Sequence, residues 1–243
     1  MDKALTLPPR LEALAELVPP GRPVADIGTD HALLAISLVQ RARVPRAIAS
    51  DVSPICLAKA RAAVMAAGLT DRIDLRLGAG LTVLSPGEVP VVVIAGMGAQ
   101  TIAAILTEGD ETARRTELFL LQPMQKASNL RRYLLAHGLR LAAEKLVWDC
   151  GRFYVIMSVV WGSMPAYSDE LLEIGPLLVT GQDPLLKPYL ESKIEREKEI
   201  WTKVKAHARS TAGQRRAQLA ARRIQAWEAL LHAGSCGQGN QHR

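Results

Sequence analysis

Residues 24–32 read VADIGTDHA, and this stretch decides the fold. A short, mostly apolar run over 24–27 is typical of a buried strand, Gly28 is a turn residue, and helix-like sequence resumes at Ala32. A strand, a glycine turn and a helix in this order form the first half of a doubly wound α/β unit, whose ligands bind at that turn. The stretch therefore predicts a binding site at the carboxyl end of the first strand.

The same alternation of apolar runs and helix-like segments continues along the chain, which predicts a parallel sheet. Two further apolar runs, 141–148 and 153–161, are separated only by Asp149-Cys150-Gly151-Arg152, a length typical of a hairpin rather than a crossover. We therefore predict an α/β, Rossmann-like sheet of seven strands, mostly parallel, whose last strand is antiparallel. The five predicted parallel strands cover residues 24–27, 47–50, 73–77, 91–95 and 118–121.

Local signals predict where two helices begin and end. Ser53 can cap a helix that has Pro54 at its first position, and Gly68 can end that helix. Ahead of the sheet, apolar residues recur at helical spacing over 7–18 and stop at the Pro-Pro-Gly break over 19–21. A short amphipathic helix is therefore expected to precede the first strand.

The turns after the first four predicted strands meet at one edge of the sheet and supply the candidate cofactor contacts. Of the glycines in the G-x-G-x-x-G pattern, only Gly28 is present, so binding of a dinucleotide through its pyrophosphate is disfavoured. Asp51 ends the second strand 23 residues after Gly28, where a carboxylate can accept hydrogen bonds from both hydroxyls of a ribose. Two simpler interpretations stay open, an ordinary tight turn at Gly28 and a strand-end cap at Asp51. The candidate cofactor contacts are Asp26, Gly28, Asp30, Asp51, Val52, Gly78, Ala79, Gly80, Ala95, Gly96, Met97 and Gly98.

The net charge of +6 is concentrated near the C-terminus. Residues 187–243 hold 12 Lys and Arg against five Glu, a net of +7, so the first 186 residues carry a net of −1. A basic module beside a near-neutral body indicates a polyanion partner, and a merely solvated helical surface is the alternative. The candidate phosphate contacts are Lys193, Lys203, Lys205, Arg209, Arg215, Arg216, Arg222 and Arg223.

The basic module has the pattern of two helices that close on a narrow apolar seam. Apolar residues step by three, four or seven positions over 190–208 and again over 217–231. The same seam could instead join two copies of the chain through Trp201 and Trp227, so a monomer and a homodimer both stay open. The predicted organisation is a cofactor-binding domain over 1–162, a connector over 163–187, a basic helical hairpin over 188–233 and a disordered tail over 234–243.

Composition excludes several classes of protein. The first residues, MDKALTLPPR, lack the apolar core of a signal peptide, and no stretch has eighteen uninterrupted apolar residues. We therefore expect a soluble, cytoplasmic protein with no membrane partner. Cys56, Cys150 and Cys236 form no CxxC pair and are odd in number, which indicates reduced thiols and neither a zinc site nor a disulfide framework. No metal site is predicted.

Seven segments occur in the order seen in bacterial tRNA (adenine-22-N1)-methyltransferases: DIGTDHA, IASDV, RLGAGL, VIAGMG, LLQPM, LRRYLLAHG and GRFYVI. Over about residues 5–160 the chain resembles this family, and the likeness extends more loosely to the helical hairpin. In the family that hairpin is a coiled-coil C-terminal domain implicated in tRNA binding. The resemblance implies a methyltransferase sheet, S-adenosyl-L-methionine as cofactor, and methyl transfer to N1 of an adenine in tRNA, with adenine 22 as the expected target.

The resemblance also implies roles for individual residues. Asp30 and His31 are the candidate catalytic residues, because either could orient or polarise the amino group of the target adenine. The alternative is that Asp30 contacts the cofactor and His31 caps the following helix. The family usually has Asp where this chain has Ala79, a residue expected to bond the adenine of the cofactor. The implied positions are Asp26, Gly28, Asp30 and His31 on the methionine side, Asp51 at the ribose, Gly96 to Gly98 at the transfer site, and Gln122 and Pro123 at the substrate rim.

Two other functions stay open from the sequence. A methyltransferase of the same fold could act on another RNA or on a small molecule. A non-catalytic RNA-binding protein could have kept the fold and lost the cofactor, and Ala79 is the residue that favours this reading. Binding of the cofactor separates the enzymes from the binding protein, and the position of the methylated nucleotide separates the enzymes from one another.

Overall fold

The computed structural model describes residues 6–207 and 210–236. Within these residues the chain divides into two compact units between Pro165 and Ala166. The candidate contact Arg209 lies outside the described residues, as does most of the predicted tail.

The first unit is built on one seven-stranded sheet. Its strands are β1 Val24–Ile27, β2 Ala47–Asp51, β3 Ile73–Leu77, β4 Val91–Met97, β5 Leu118–Pro123, β6 Leu139–Asp149 and β7 Arg152–Trp161. Their order across the sheet is β3-β2-β1-β4-β5-β7-β6. β1 to β5 pair in parallel, whereas β7 is antiparallel to both β5 and β6. The predicted Rossmann-like sheet with an antiparallel last strand is confirmed.

Helices of the first unit connect the strands as the alternating pattern predicts. They are α1 Pro9–Leu17, α2 Leu33–Gln40, α3 Pro54–Ala66, α4 Ala99–Glu108, α5 Asp110–Arg115 and α6 Ala127–Ala136, with a 3-10 turn over Gly80–Val83. Every residue of β1 is buried, as expected for a central parallel strand covered on both faces. Leu14 of α1 and Leu38 of α2 belong to a core that also contains Val93 and Ile156 from the sheet.

The helix signals near residue 53 are confirmed atom by atom. The Ser53 hydroxyl oxygen accepts a hydrogen bond from the Cys56 N–H at 3.3 Å, and Pro54 is the first residue of α3. Gly68 follows the helix with φ +64°, a left-handed conformation that favours glycine. This capped start matters for the site, because it places the first turn of α3 directly after the end of β2.

The second unit contains four helices. They are α7 Asp169–Ile174, α8 Pro176–Thr180, α9 Leu186–His207 and α10 Thr211–Cys236. The two long helices pack on each other, with Leu190, Ile194, Ala220 and Trp227 buried. Four of the predicted seam positions are therefore in the core of this unit.

The segment predicted as a connector, residues 163–187, is partly helical. Its two short helices carry the buried residues Leu172, Ile174 and Leu178. The Trp227 indole N–H donates to the carbonyl of Glu170 at 3.0 Å, which ties α7 to α10. Pro and Gly in this segment therefore separate two short helices instead of marking a structureless link, because the apolar residues between them have a core to join.

Candidate active site

The turn after β1 is held tightly against its neighbours. The Gly28 and Thr29 N–H groups both donate to the Ser50 carbonyl of β2, at 2.7 Å and 2.9 Å. Gly28 has φ +81°, and a Cβ at this position would lie 2.0 Å from the Cε atom of Met97 in β4. A side chain at residue 28 would therefore be strained and would displace Met97. The turn brings residues of β1, β2 and β4 together at the carboxyl edge of the sheet.

Asp26 places a carboxyl group beneath this turn. The side chain is buried in β1, and its Oδ2 accepts a hydrogen bond from the Thr29 hydroxyl at 2.7 Å. Desolvation raises the pKa of Asp26 to about 6; the Thr29 bond lowers the pKa and the nearby Asp51 carboxylate raises it. Two carboxyl groups close to each other favour binding of a cation, which would offset their repulsion.

Asp51, at the end of β2, caps the strand with one of its two carboxylate oxygens. Its Oδ1 accepts the Ser53 N–H at 2.8 Å, so the carboxylate does cap the strand end. Within the described part of the chain, no group donates a hydrogen bond to its other oxygen, Oδ2. One oxygen is therefore used to hold the local backbone, and the other is available to a ligand.

Two apolar side chains are exposed beside Asp51. Val52 is 66% exposed and Leu77, the last residue of β3, is 56% exposed. The Gly78 N–H donates to the Asp51 carbonyl at 3.0 Å, which keeps the ends of β2 and β3 together. Exposed apolar groups at the ends of adjacent strands provide a surface for a flat ring next to a carboxylate.

The loop after β3 has no carboxylate at its tip. Ala79 is exposed, and its carbonyl accepts both the N–H and the hydroxyl of Thr82, at 3.1 Å and 2.6 Å. Gly78 and Gly80 flank it closely, since a Cβ at residue 78 would lie 2.5 Å from Val83 and one at residue 80 would lie 3.0 Å from Ile105. The loop shape is therefore set by the backbone and small residues, and Ala79 offers no polar side chain.

Asp30 and His31 form an exposed polar pair above the β1 turn. The Cys56 thiol lowers the pKa of Asp30 by hydrogen bonding, and the His31 and Lys59 side chains lower it further. His31 Nε2 lies 3.3 Å from Asp30 Oδ2, and Lys59 Nζ lies 3.6 Å from Asp30 Oδ1. Asp30 is therefore an ionised carboxylate at the surface of the site.

The expectation that His31 caps α2 is wrong. The residue before this helix is Ala32, in a left-handed conformation with φ +53°, and no side chain accepts a hydrogen bond at the helix start. The His31 ring is instead paired with Asp30. A backbone turn begins the helix, which leaves the imidazole at the site.

A bulge at the end of β4 exposes Gly96. The pairing with β5 shifts between Ala95 and Met97, and Gly96 has φ +77°. The Gly96 N–H donates to Gln122 Oε1 at 3.1 Å, and Arg10 Nη1 of α1 donates to the same oxygen at 2.8 Å. The bulge is therefore held by one side chain from β5 and one from the N-terminal helix.

Gln122 is not at the substrate rim, which corrects the sequence-based expectation. Its side chain is fully buried, because its amide oxygen bridges Gly96 and Arg10 and its amide nitrogen donates to the Pro123 carbonyl at 3.0 Å. Gln122 positions the bulge and does not face solvent. Sequence reasoning missed Arg10, whose only signal was a basic residue in the predicted N-terminal helix.

The predicted phosphate contacts have different surroundings in the second unit. Lys203, Arg215, Arg216 and Arg222 are exposed. The ammonium groups of Lys193 and Lys205 lie over the rings of Tyr189 and Trp201, with the nitrogen 5.5 Å and 4.4 Å from the ring centres.

Arg223 has a structural environment instead. It is half-buried, with one guanidinium nitrogen 2.9 Å from Glu173 and another 3.4 Å from Glu197. Its charge is therefore balanced inside the unit, and we remove it from the set of phosphate contacts.

Comparisons with known proteins agree with this geometry. Residues 7–157 match the family model described as a methyltransferase domain. A putative tRNA methyltransferase of Mycoplasma pneumoniae is 31% identical over 74% of this chain and 85% of its own length. A crystal structure from Streptococcus pneumoniae, of a putative tRNA (m1A22) methyltransferase, is 32% identical with a TM-score of 0.85 and covers 93% of this chain and 100% of that one.

The chain belongs to the tRNA (adenine-22-N1)-methyltransferase family. The tRNA (adenine(22)-N(1))-methyltransferase of Bacillus subtilis is 27% identical to this family member over 95% of the chain and 99% of the relative. The Streptococcus pneumoniae relative has also been solved in complex with S-adenosyl-L-methionine, with a TM-score of 0.83.

Two kinds of feature are absent from the described residues. No helix there is long and apolar enough to cross a bilayer. No group of three or more His, Cys, Asp or Glu side chains there could hold a metal ion. Cys56 and Cys150 are both unpaired thiols.

Proposed function

We propose that the protein transfers a methyl group from S-adenosyl-L-methionine to N1 of an adenine in tRNA, and that the adenine is number 22, as in the names of its relatives. The observation that carries the proposal is the arrangement at the sheet edge. A buried carboxyl group, a half-used carboxylate and two exposed apolar side chains lie beside the open glycine bulge at Gly96.

The residues present fit S-adenosyl-L-methionine, since the site offers separate surroundings for its charged, sugar and ring portions. Asp26 would hold the ammonium group, and the available oxygen of Asp51 would accept the ribose hydroxyls. Val52 and Leu77 would flank the adenine ring. When bound, the cofactor supplies a methyl group activated by its positively charged sulfur.

The main task of the protein is to place the acceptor. Adenine N1 already carries a lone pair, so transfer needs no covalent nucleophile, and alignment of the two atoms provides the acceleration. Gly96 leaves space at the end of β4, and the Arg10–Gln122 pair keeps this backbone in position. The absence of a side chain at residue 96 lets a base approach the backbone closely.

Asp30 is the carboxylate that we assign to the target base. It is exposed and ionised, and it can accept a hydrogen bond from the amino group of adenine. A negative charge there also stabilises the positive charge that the ring gains when N1 is methylated. His31 and Lys59 hold Asp30 in place.

The second unit would bind the tRNA backbone. Lys203, Arg215, Arg216 and Arg222 are exposed there, within the segment 187–243 that carries a net charge of +7. Contacts of this kind position an RNA without reading its sequence. Because N1 lies on the pairing edge of adenine, a paired target must leave its helix before transfer. We place this activity in the cytoplasm, where tRNA is modified in bacteria.

The test combines cofactor binding with mapping of the product. The purified protein is incubated with S-adenosyl-L-methionine carrying a labelled methyl group and unmodified tRNA, and mass spectrometry locates the modified nucleotide. We expect methylation at adenine 22 and none in a matched tRNA with guanine at that position. Methylation at another site would assign a different RNA position. Tight tRNA binding without cofactor binding would support the non-catalytic RNA-binding role, for which the missing carboxylate at Ala79 is the one favourable observation.

A further inference from the structure

The hairpin formed by β6 and β7 extends past the edge of the sheet that carries the site. β5 ends at Pro123, and its antiparallel register with β7 pairs Leu121 with Met157. Continuing this register sets Pro123 opposite Val155, so residues 152–154 of β7 lie beyond the end of β5. At about 3.4 Å per residue the hairpin tip projects roughly 10 Å past the edge.

An exposed tryptophan lies at this tip. Trp148 pairs with Phe153 across the hairpin, and the ring centres are 4.5 Å apart with the planes at 61°. Trp148 is nevertheless 51% exposed. Phe153 therefore supports one edge of the indole ring while a large part of the ring stays open to solvent. Edge-to-face contact of this kind orients a ring without covering it.

The tip is connected to the transfer site through the opposite face of the same hairpin. Tyr154 is buried, and the guanidinium carbon of Arg10 lies 5.7 Å from the centre of its ring. Arg10 also donates to Gln122, which holds Gly96. One short chain of contacts therefore links the hairpin tip to the bulge where the methyl group is transferred.

Two exposed basic residues lie at the same end of the sheet as the ring. Arg152 begins β7 and is paired with Asp149 across the hairpin, and Lys126 is in the loop that follows β5. An open aromatic ring on a surface that also carries basic residues is typical of proteins that stack the bases of unpaired nucleic acids, with the cations beside the phosphates. A protein or lipid partner would favour a broader apolar patch.

We propose that Trp148 stacks on a nucleobase of the tRNA next to the target adenine and so holds the unpaired strand at the transfer site. This inference rests on the proposed function, because the occupant is the RNA substrate of the same site. The projecting hairpin supplies a second substrate contact within the first unit. It acts on a base, whereas the basic residues of the second unit act on phosphates.

The experiment compares Trp148→Ala, Trp148→Phe and a control, Met65→Ala, in the full-length protein. Met65 is another large, exposed apolar residue, on α3 and away from the carboxyl ends of the strands. We expect Trp148→Ala to raise the KM for tRNA about 5- to 150-fold, the range typical of one lost stacking contact. Trp148→Phe should keep most of the affinity, and Met65→Ala should match the wild type.

Two further measurements separate stacking from other roles. Calorimetry should show the same affinity for S-adenosyl-L-methionine in all variants. Addition of unmodified tRNA without cofactor should quench tryptophan fluorescence of the wild type more than that of Trp148→Phe, which tests base contact independently of activity.

Several outcomes would overturn the inference while the proposed function stands. One is a wild-type KM for tRNA in Trp148→Ala. Another is an equal loss of cofactor affinity, which would indicate damage to the cofactor site. A third is a change of native mass with unchanged tRNA affinity, which would assign the ring to contact with a second copy of the chain. If the wild-type protein itself methylates no tRNA, the result contradicts the proposed function and not only the role of Trp148.

Discussion

At the scale of single residues, two aspartates of the candidate site differ in burial and therefore in their chemistry. Asp26 is buried under the β1 turn and bonded to Thr29, whereas Asp51 is half-buried at the end of β2 with one oxygen unused. Because burial disfavours the charged form, the pKa of Asp26 is raised to about 6. Desolvation raises the pKa of Asp26, and the position of Asp51 leaves one of its oxygens for the ribose contact that we propose.

Asp51→Ala should weaken binding of S-adenosyl-L-methionine by on the order of tenfold or more, because each charge-assisted hydrogen bond contributes about 1.5 to 3 kcal/mol. Titration calorimetry on the folded variant measures the change. The control is Asp71→Ala, which removes an exposed carboxylate from the other edge of the sheet. Unchanged affinity in Asp51→Ala would mean that the residue only caps the strand.

The affinity for S-adenosyl-L-methionine should fall as the pH drops through about 6, the pKa of Asp26. An ammonium group binds the ionised carboxylate, and at pH 5 only about a tenth of a group with this pKa is ionised. Affinity at pH 5 should therefore be about tenfold lower than at pH 7.5. Calorimetry at both pH values tests this, and Asp26→Asn should remove the difference.

The same group makes a signed contribution to stability. The Asp26 carboxyl group ionises near pH 4 in the unfolded chain and near pH 6 in the folded, ligand-free protein. Between these pH values the folded protein therefore keeps this carboxyl group protonated and the unfolded chain does not. The Asp26 contribution to stability is therefore largest at low pH and is lost as the pH rises from about 4 to about 6. A denaturation series in which Asp26→Asn shows the same slope as the wild type over this window would contradict the assignment.

At the scale of elements, the ends of β4, β5 and α1 are joined by one buried amide. Gln122 Oε1 accepts from both Gly96 and Arg10, so a strand bulge depends on a helix that comes about 80 residues earlier in the chain. A second buried contact joins α6 to β6, where Arg131 Nε lies 2.7 Å from Glu144 Oε1 and both side chains are inaccessible to solvent. Such polar contacts fix how neighbouring elements align.

Gln122→Met should lower the free energy of unfolding by about 1 to 3 kcal/mol, because the Gly96 N–H and the Arg10 guanidinium lose a buried acceptor. We also expect a lower kcat with little change in cofactor affinity, since the bulge lies at the transfer site. Chemical denaturation and steady-state kinetics provide the measurements. Gln40→Met, at an exposed position on α2, is the matched control and should change neither.

Arg131→Met should lower the free energy of unfolding by about 3 to 5 kcal/mol, because it removes the positive charge from a buried ion pair with Glu144. The double variant Arg131→Met with Glu144→Leu should recover most of the loss, since two apolar groups can pack where the ion pair was. Denaturation of the three proteins tests this. If the double variant is as unstable as Arg131→Met, the ion pair itself stabilises the fold, and the loss in Arg131→Met does not come only from an uncompensated buried charge.

At the scale of the whole molecule, charge and chemistry are divided between two units. The residues of the proposed cofactor site belong to the first unit, and the excess positive charge lies in the second. Arg215, Arg216 and Arg222 are exposed on α10, whereas Arg223 is neutralised by two glutamates. The four arginines contribute equally to the net charge, but only the three exposed ones are open to a phosphate group.

Replacing Arg215, Arg216 and Arg222 together with Gln should weaken tRNA binding and make it less dependent on salt. Each lost phosphate contact should reduce the log-log salt slope by about 0.7 to 0.9, or about 2 to 3 in total. The control replaces Arg46, Arg61 and Arg115, which are exposed in the first unit, and should leave the slope unchanged. Equal slopes in the two variants would contradict the phosphate contacts, and a change of native mass with tRNA affinity intact would assign the hairpin to dimerisation.

The sequence by itself determined the strands of the sheet and the ends of α3, but not the two short helices over 169–180. Apolar runs predicted all five parallel strands, and the length of the 149–152 link predicted the antiparallel hairpin. Ser53 and Gly68 predicted the ends of α3. These features depend on residues near each other in the chain, so local periodicity and turn chemistry are enough to predict them.

Only the tertiary structure decided which side chains meet. Gln122 was predicted at the rim and is buried, because its partners come from β4 and from α1. Arg223 has its partners on α7 and α9, and Trp148 lies at a tip whose reach depends on where β5 ends. Contacts between residues 26 to 112 positions apart leave no periodic trace in the sequence, since they depend on how the elements pack rather than on how each one forms.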